Sequence, residues 1–151
     1  MSTFKSINEI LDFAMQSEQE AVDFYTALAE QASNKEMADI FKQFAKEEMG
    51  HKSRIMSIKE NGTYTVPTGK VADLKIADYT VDVQPHPNMK YDEALMVAMK
   101  KEKAAFKLYN DLANRATNES MKNLFLSLAQ EESKHKLRFE LEYDEYVMRE
   151  N

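Results

Sequence analysis

Shifted by 84 positions, this sequence falls on itself. Ala14 lands on Ala98, Glu18 on Glu102, Tyr25 on Tyr109, Asn34 on Asn118, Phe41 on Phe125, Glu47-Glu48 on Glu131-Glu132, and His51 on His135. A duplicated unit must bury the same stripe twice, and two like units do so by packing face to face about a pseudo-twofold axis. Whatever one stripe carries then meets its copy.

Each unit reads as a helical hairpin. Ser6 with Glu9 three residues later is a capping box, and Ile7, Leu11, Ala14, Ala21, Leu28 and Ala32 recur at helical spacing, predicting a helix over about residues 7–31. Asn34 caps a second helix over about 35–60 along Met37, Phe41, Phe44, Ile55 and Ile58, and Asn61-Gly62 stops it. A third helix begins between residues 88 and 92. Asn118 caps a fourth, which runs through Met121, Phe125, Leu128, Phe139 and Tyr143. Three glycines and three prolines in 151 residues, with abundant Ala, Leu, Met, Glu and Lys, fit long helices. The ten methionines lie mostly beside the stripes, as flexible core filler.

The short links force antiparallel neighbours within each hairpin. Residues 62–87 hold all three prolines, with room for a short helix or strand near residues 73–83. Extended, that segment spans about 85 Å, against about 38 Å for a 25-residue helix, so it can return along the whole bundle. The expected fold is all-α: one domain over residues 1–151, with hairpin 1 at about 6–61, a long crossover at about 62–87, and hairpin 2 at about 88–149.

The buried stripes are not purely apolar. Glu18 and Tyr25 fall on core positions of the first helix, Glu102 and Tyr109 on those of the third, Glu48 and His51 on those of the second, and Glu132 and His135 on those of the fourth. Four carboxylates facing one another in an interior repel, and each costs several kcal/mol, on the order of magnitude of a buried unpaired ion, unless neutralised. No Lys or Arg occupies a matching position. Either the group sits in water or cations compensate it, and two divalent cations would balance four glutamates. One Glu from each of two helices plus Glu-x-x-His from each of the other two is the ligand pattern known from di-iron and di-manganese carboxylate bundles. Oxygen donors with one imidazole per metal suit iron or manganese, with zinc as an occupant in vitro. A lone Glu-x-x-His means little in a chain with 17 glutamates; two copies in register, each with an inward Glu 30 residues upstream, are specific.

Other classes are excluded. Without cysteine the chain can build no disulfide, thiol nucleophile, or Cys-ligated zinc or iron–sulfur centre. A net charge of −6 disfavours nucleic acid and anionic membranes. Residues 1–9 lack an apolar stretch, and the longest apolar run, residues 94–99, is too short to span a bilayer, so a soluble cytoplasmic protein is expected.

Ala14-Met-Gln-Ser-Glu18, Tyr25 and Glu47-Glu48-Met-Gly-His51, repeated as Ala98-Met-Lys-Lys-Glu102, Tyr109 and Glu131-Glu132-Ser-Lys-His135, resemble the rubrerythrin branch of the ferritin-like superfamily. The likeness covers both hairpins and implies a ferritin-like four-helix bundle. It further implies a non-haem di-iron oxidoreductase (peroxidase) that reduces hydrogen peroxide or dioxygen in oxidative-stress defence, and a homodimer, sometimes with exchanged hairpins. The metal ligands would be Glu18, Glu48, His51, Glu102, Glu132 and His135. The rubredoxin domain of such proteins needs four cysteines that this chain lacks, so electrons would have to come from an external carrier such as a rubredoxin-like protein. Family members also carry a further Glu where this chain has Ala105, a departure that bears on turnover. The competing reading is an iron-binding protein that sequesters or senses the metal without catalysis.

Tyr25 and Tyr109 lie seven residues, about 10.5 Å, from their own helix's ligand. Any contact with the centre must be to ligands on other helices; the alternative is core packing. Glu47 and Glu131, four residues before the histidines, compete formally for ligation, but the stripe spacing favours Glu48 and Glu132 and leaves the earlier pair solvated or supporting the ligands. Glu20 is expected at the surface and His86 in a loop.

Overall fold

The computed structural model describes residues 3–64, 74–81 and 88–150. Among the described residues are four long helices: α1 (Ile7–Gln31), α2 (Lys35–Asn61), α3 (Tyr91–Arg115) and α4 (Glu119–Glu150). A single 3₁₀ turn, Ile76–Tyr79, lies in the region where a short element was expected. His86 and all three prolines fall outside the described residues.

The helix ends follow from local chemistry. Ser6 Oγ accepts from the N–H of Glu9 at 3.1 Å, while the Glu9 carboxylate reaches the N–H of Lys5. Asn34 and Asn118 each accept from the N–H three residues on, at 2.8 Å, as repeat partners should. Gly62 closes α2 at φ 60°, a left-handed conformation that glycine adopts without the steric cost of a Cβ.

Two apolar clusters fill the bundle. One gathers the start of α1, the end of α2, the end of α3 and the start of α4, through Leu11, Ile55, Leu112 and Phe125. The other gathers the opposite ends, through Leu28, Phe41, Leu95 and Phe139. The start of α1 thus sits beside the end of α3, so the two hairpins are antiparallel, and the chain must travel the length of the bundle from α2 to α3. Near the first cluster that path is pinned: Phe4 N–H donates to the Leu74 carbonyl at 3.2 Å. The Phe4 ring also stacks on Tyr79, whose hydroxyl donates to Asp111 at 2.7 Å. No described helix is long and apolar enough to cross a membrane.

One departure from the predicted stripe lies near the end of α4. Tyr143 is half-buried, and the fully buried residue is its neighbour Glu142. Its carboxylate accepts hydrogen bonds from Ser33 and Tyr91, both at 2.7 Å. Those donors make burial tolerable, and they tie α4 to the end of α1 and the start of α3. Tyr91→Phe removes a partner from a buried acceptor, so we expect a loss of about 1–3 kcal/mol in denaturant unfolding. An unchanged midpoint would show that the network contributes nothing.

Candidate metal centre

Between the two apolar clusters the structure brings together all six residues predicted as ligands. Glu18, Glu48, His51, Glu102, Glu132 and His135 are each no more than 2% exposed. His51 Nδ1 lies 3.1 Å from Glu18, 3.2 Å from Glu48 and 3.0 Å from Glu132. His135 Nδ1 lies 3.6 Å from both Glu48 and Glu102. The donor atoms form two sets, Glu18-Glu48-His51-Glu132 and Glu48-Glu102-Glu132-His135, each within 4.8 Å of one another. Glu48 and Glu132 belong to both.

One oxygen of each glutamate and the Nδ1 of each histidine have no hydrogen-bond partner, and among the described residues these six are the only such buried side-chain atoms. Buried polar atoms are otherwise almost always satisfied. Six orphans pointed at one another, four carboxylate oxygens and two imidazole nitrogens, form the donor set that hard or borderline divalent cations take. The residues fit a metal pair.

The far side of each ring fixes its orientation. His51 Nε2 lies 2.6 Å from Glu131, and His135 Nε2 lies 2.9 Å from Glu47. A carboxylate only accepts, so each Nε2 carries the proton and Nδ1 faces the centre as a ligand must. Glu47 and Glu131 therefore support the histidines, each across the bundle on the other hairpin. Burial works against ionisation of Glu47, but hydrogen bonds from His135 and Gln43 outweigh it and hold the carboxyl below its ordinary range. The sequence carried a signal: glutamate is retained in both copies at a position off the stripe.

Both tyrosines reach the centre across the bundle. Tyr25 of α1 donates to Glu102 of α3, and Tyr109 of α3 hydrogen-bonds Glu18 of α1. Burial, reinforced by surrounding carboxylates, pushes both phenols well above their usual range, so they remain donors. Both tyrosines thus meet a glutamate of the cluster.

The carboxylates register their confinement. Burial first, then the charges of neighbouring glutamates, pushes Glu48 and Glu132 well above the usual carboxylate range; Glu18 rises mainly through burial. Burial opposes the charged imidazoles, yet Glu18 and Glu131 at His51, and Glu102 and Glu47 at His135, outweigh it and raise both.

A cavity of about 120 Å3 opens between α1 and α3 and reaches Glu18, Glu48, Glu102 and Glu132. Glu20, expected at the surface, is exposed and lines its rim.

The rubrerythrin family profile matches residues 9–143, taking in both hairpins and every residue of the cluster. The chain belongs to the rubrerythrin family. Two solved structures extend that membership to the fold. One, described as a candidate ferritin-like diiron-carboxylate protein from Thermotoga maritima, superposes with a TM-score of 0.75 at 19% identity, covering 97% of this chain and 99% of that one. The other, a hypothetical protein from Pyrococcus furiosus, gives 0.73 at 23% identity, covering 93% and 89%. At such identities the likeness shows the ferritin-like fold alone. No curated protein sequence matches the chain significantly. This chain has no cysteine and carries Ala105 on the cavity wall.

Proposed function

We propose that this protein is a non-haem di-iron oxidoreductase that reduces hydrogen peroxide, or dioxygen, with electrons from an external carrier. The observation that carries the reading is the set of six orphaned buried atoms, divided into two ligand groups that share Glu48 and Glu132. Two bound ferrous ions would supply the pair of electrons that cleaves a peroxide O–O bond.

The chain's own residues do the rest. Glu18, Glu48, His51, Glu102, Glu132 and His135 would hold the metal pair, with Glu48 and Glu132 common to both donor sets, while Tyr25 holds Glu102 by a hydrogen bond from the opposite hairpin. Glu47 and Glu131 keep the imidazoles aimed inward. The α1–α3 cavity is the route by which oxidant reaches the carboxylates, while Phe44, stacked on His135 at 4.0 Å, covers that ring's α2 side. These 151 residues carry no cysteine for a second redox centre, and on this reading the electrons come from an external carrier.

Ala105 favours a second reading, iron binding without turnover, because it puts a methyl group where the resemblance leads one to expect a carboxylate. Anaerobic loading with ferrous iron and rapid mixing with hydrogen peroxide separates the two. Oxidation within seconds, and repeated turnover with a chemical reductant, is the expected result. Slow oxidation with no second turnover would overturn the enzymatic assignment.

A further inference from the structure

The cavity above the centre is larger than hydrogen peroxide needs. A cavity needs about 10–15 Å3 to hold one water, and an apolar cavity of about 150 Å3 holds benzene. The observed cavity is about 120 Å3. Its floor is the four glutamates Glu18, Glu48, Glu102 and Glu132. Its wall carries an apolar patch, Phe13, Ala21, Ala105 and Leu108, with Val81 at the crossover edge, beside the polar Gln16, Ser17 and Thr80.

The duplication explains where the space comes from. Ala21 and Ala105 are repeat partners, each three residues beyond an inward glutamate, and both line the cavity. Two small side chains at symmetry-related positions leave the volume that larger residues would fill. The polar atoms of a two-oxygen oxidant belong at the carboxylate floor, so it leaves the hydrocarbon wall without a partner. A hydroperoxide bearing a compact alkyl group meets both surfaces.

Resting on the function proposed above, we infer that this site also reduces small alkyl hydroperoxides, with the O–O group over the carboxylates and the alkyl group against Ala21, Ala105 and Leu108. The O–O bond breaks, and the two oxygens take up two electrons and two protons to give one alcohol and one water. The electrons come from the reduced metal pair and are replenished by the external one-electron carrier. The alcohol then leaves by the same opening, past Lys101 and Glu20 at the rim.

The test has a kinetic and a binding arm. Ferrous protein is mixed separately with tert-butyl hydroperoxide and hydrogen peroxide, and the ratio of second-order rate constants is compared in wild type, Ala105→Leu and Ala21→Leu. At least a tenfold fall in the ratio is expected in each variant whose helical melt shows it folded. Independently of turnover, tert-butanol should shift the methyl resonances of Ala21, Ala105 and Leu108 saturably in wild type. Ala21→Leu should abolish the shifts at Ala105 and Leu108. Rapid reaction with hydrogen peroxide alone, with no saturable shift, overturns the alkyl assignment and leaves the centre's function standing. Inertness to both oxidants overturns the function itself.

Discussion

Replacing Glu48 or Glu132 with alanine is expected to abolish stoichiometric loading of a metal pair, whereas Glu18→Ala should still load one ion. Glu48 and Glu132 belong to both ligand sets, and Glu18 to only one. Removing a shared carboxylate takes a donor and a negative charge from both ions at once. The isosteric variant Glu48→Gln separates ligation from packing. Without metal, Glu48 is a buried acid confined by burial and by the charges of Glu102 and Glu18, so its replacement relieves repulsion. Metal-free Glu48→Gln should therefore be more stable than metal-free wild type, by about 1–4 kcal/mol on the scale of replaced buried charges. In excess metal the order reverses. Metal content by elemental analysis and paired denaturation curves check both halves; full loading of either alanine variant would refute the ligand assignment.

The second large effect is the dependence of stability on metal and pH together. Folding raises Glu18, Glu48 and Glu132 above 4.5 and both centre histidines above 6.5. The metal-free fold consequently holds more protons than the unfolded chain. Its stability falls as pH rises above 4.5, where unfolded carboxylates ionise freely and folded ones resist. The histidine contribution is complete below 6.5 and is lost as pH climbs through the raised folded values. Divalent cations displace the same protons, so loading should release acid and stabilise more as pH increases. At about a thousandfold excess over Kd each ion contributes about 4 kcal/mol. Two would raise Tm on the order of 20 °C for a domain of this size. Calorimetric scans with and without metal at about pH 5 and about pH 8 test this, the larger increment being expected at the higher pH. A metal-free protein that gains stability with rising pH would contradict it.

Much of the centre was legible before any tertiary contact was known. Glu18, Glu48 and His51 occupy stripe positions where apolar residues belong, and an identical exception 84 residues on makes coincidence untenable. Helix ends were legible because Ser6, Asn34, Asn118 and Gly62 act on backbone groups within a few residues. Glu142 was not legible: its repeat partner is Ile58, so no duplication marks it, and its donors Ser33 and Tyr91 are distant in sequence. For the same reason Tyr143 stood in its place on the predicted stripe.

By itself the sequence determined that two like hairpins must bury two like acidic stripes, because helical period and internal repetition are properties of the chain read along its length. Only the tertiary structure decided that Glu131 serves His51 and Glu47 serves His135, that Tyr25 and Tyr109 cross to the opposite hairpin's glutamate, and that the centre has a cavity between α1 and α3. Those outcomes depend on how far each hairpin rotates about its own axis and slides past the other. The packing of Leu11, Ile55, Leu112 and Phe125 at one end and of Leu28, Phe41, Leu95 and Phe139 at the other settles that rotation, and periodicity leaves it free.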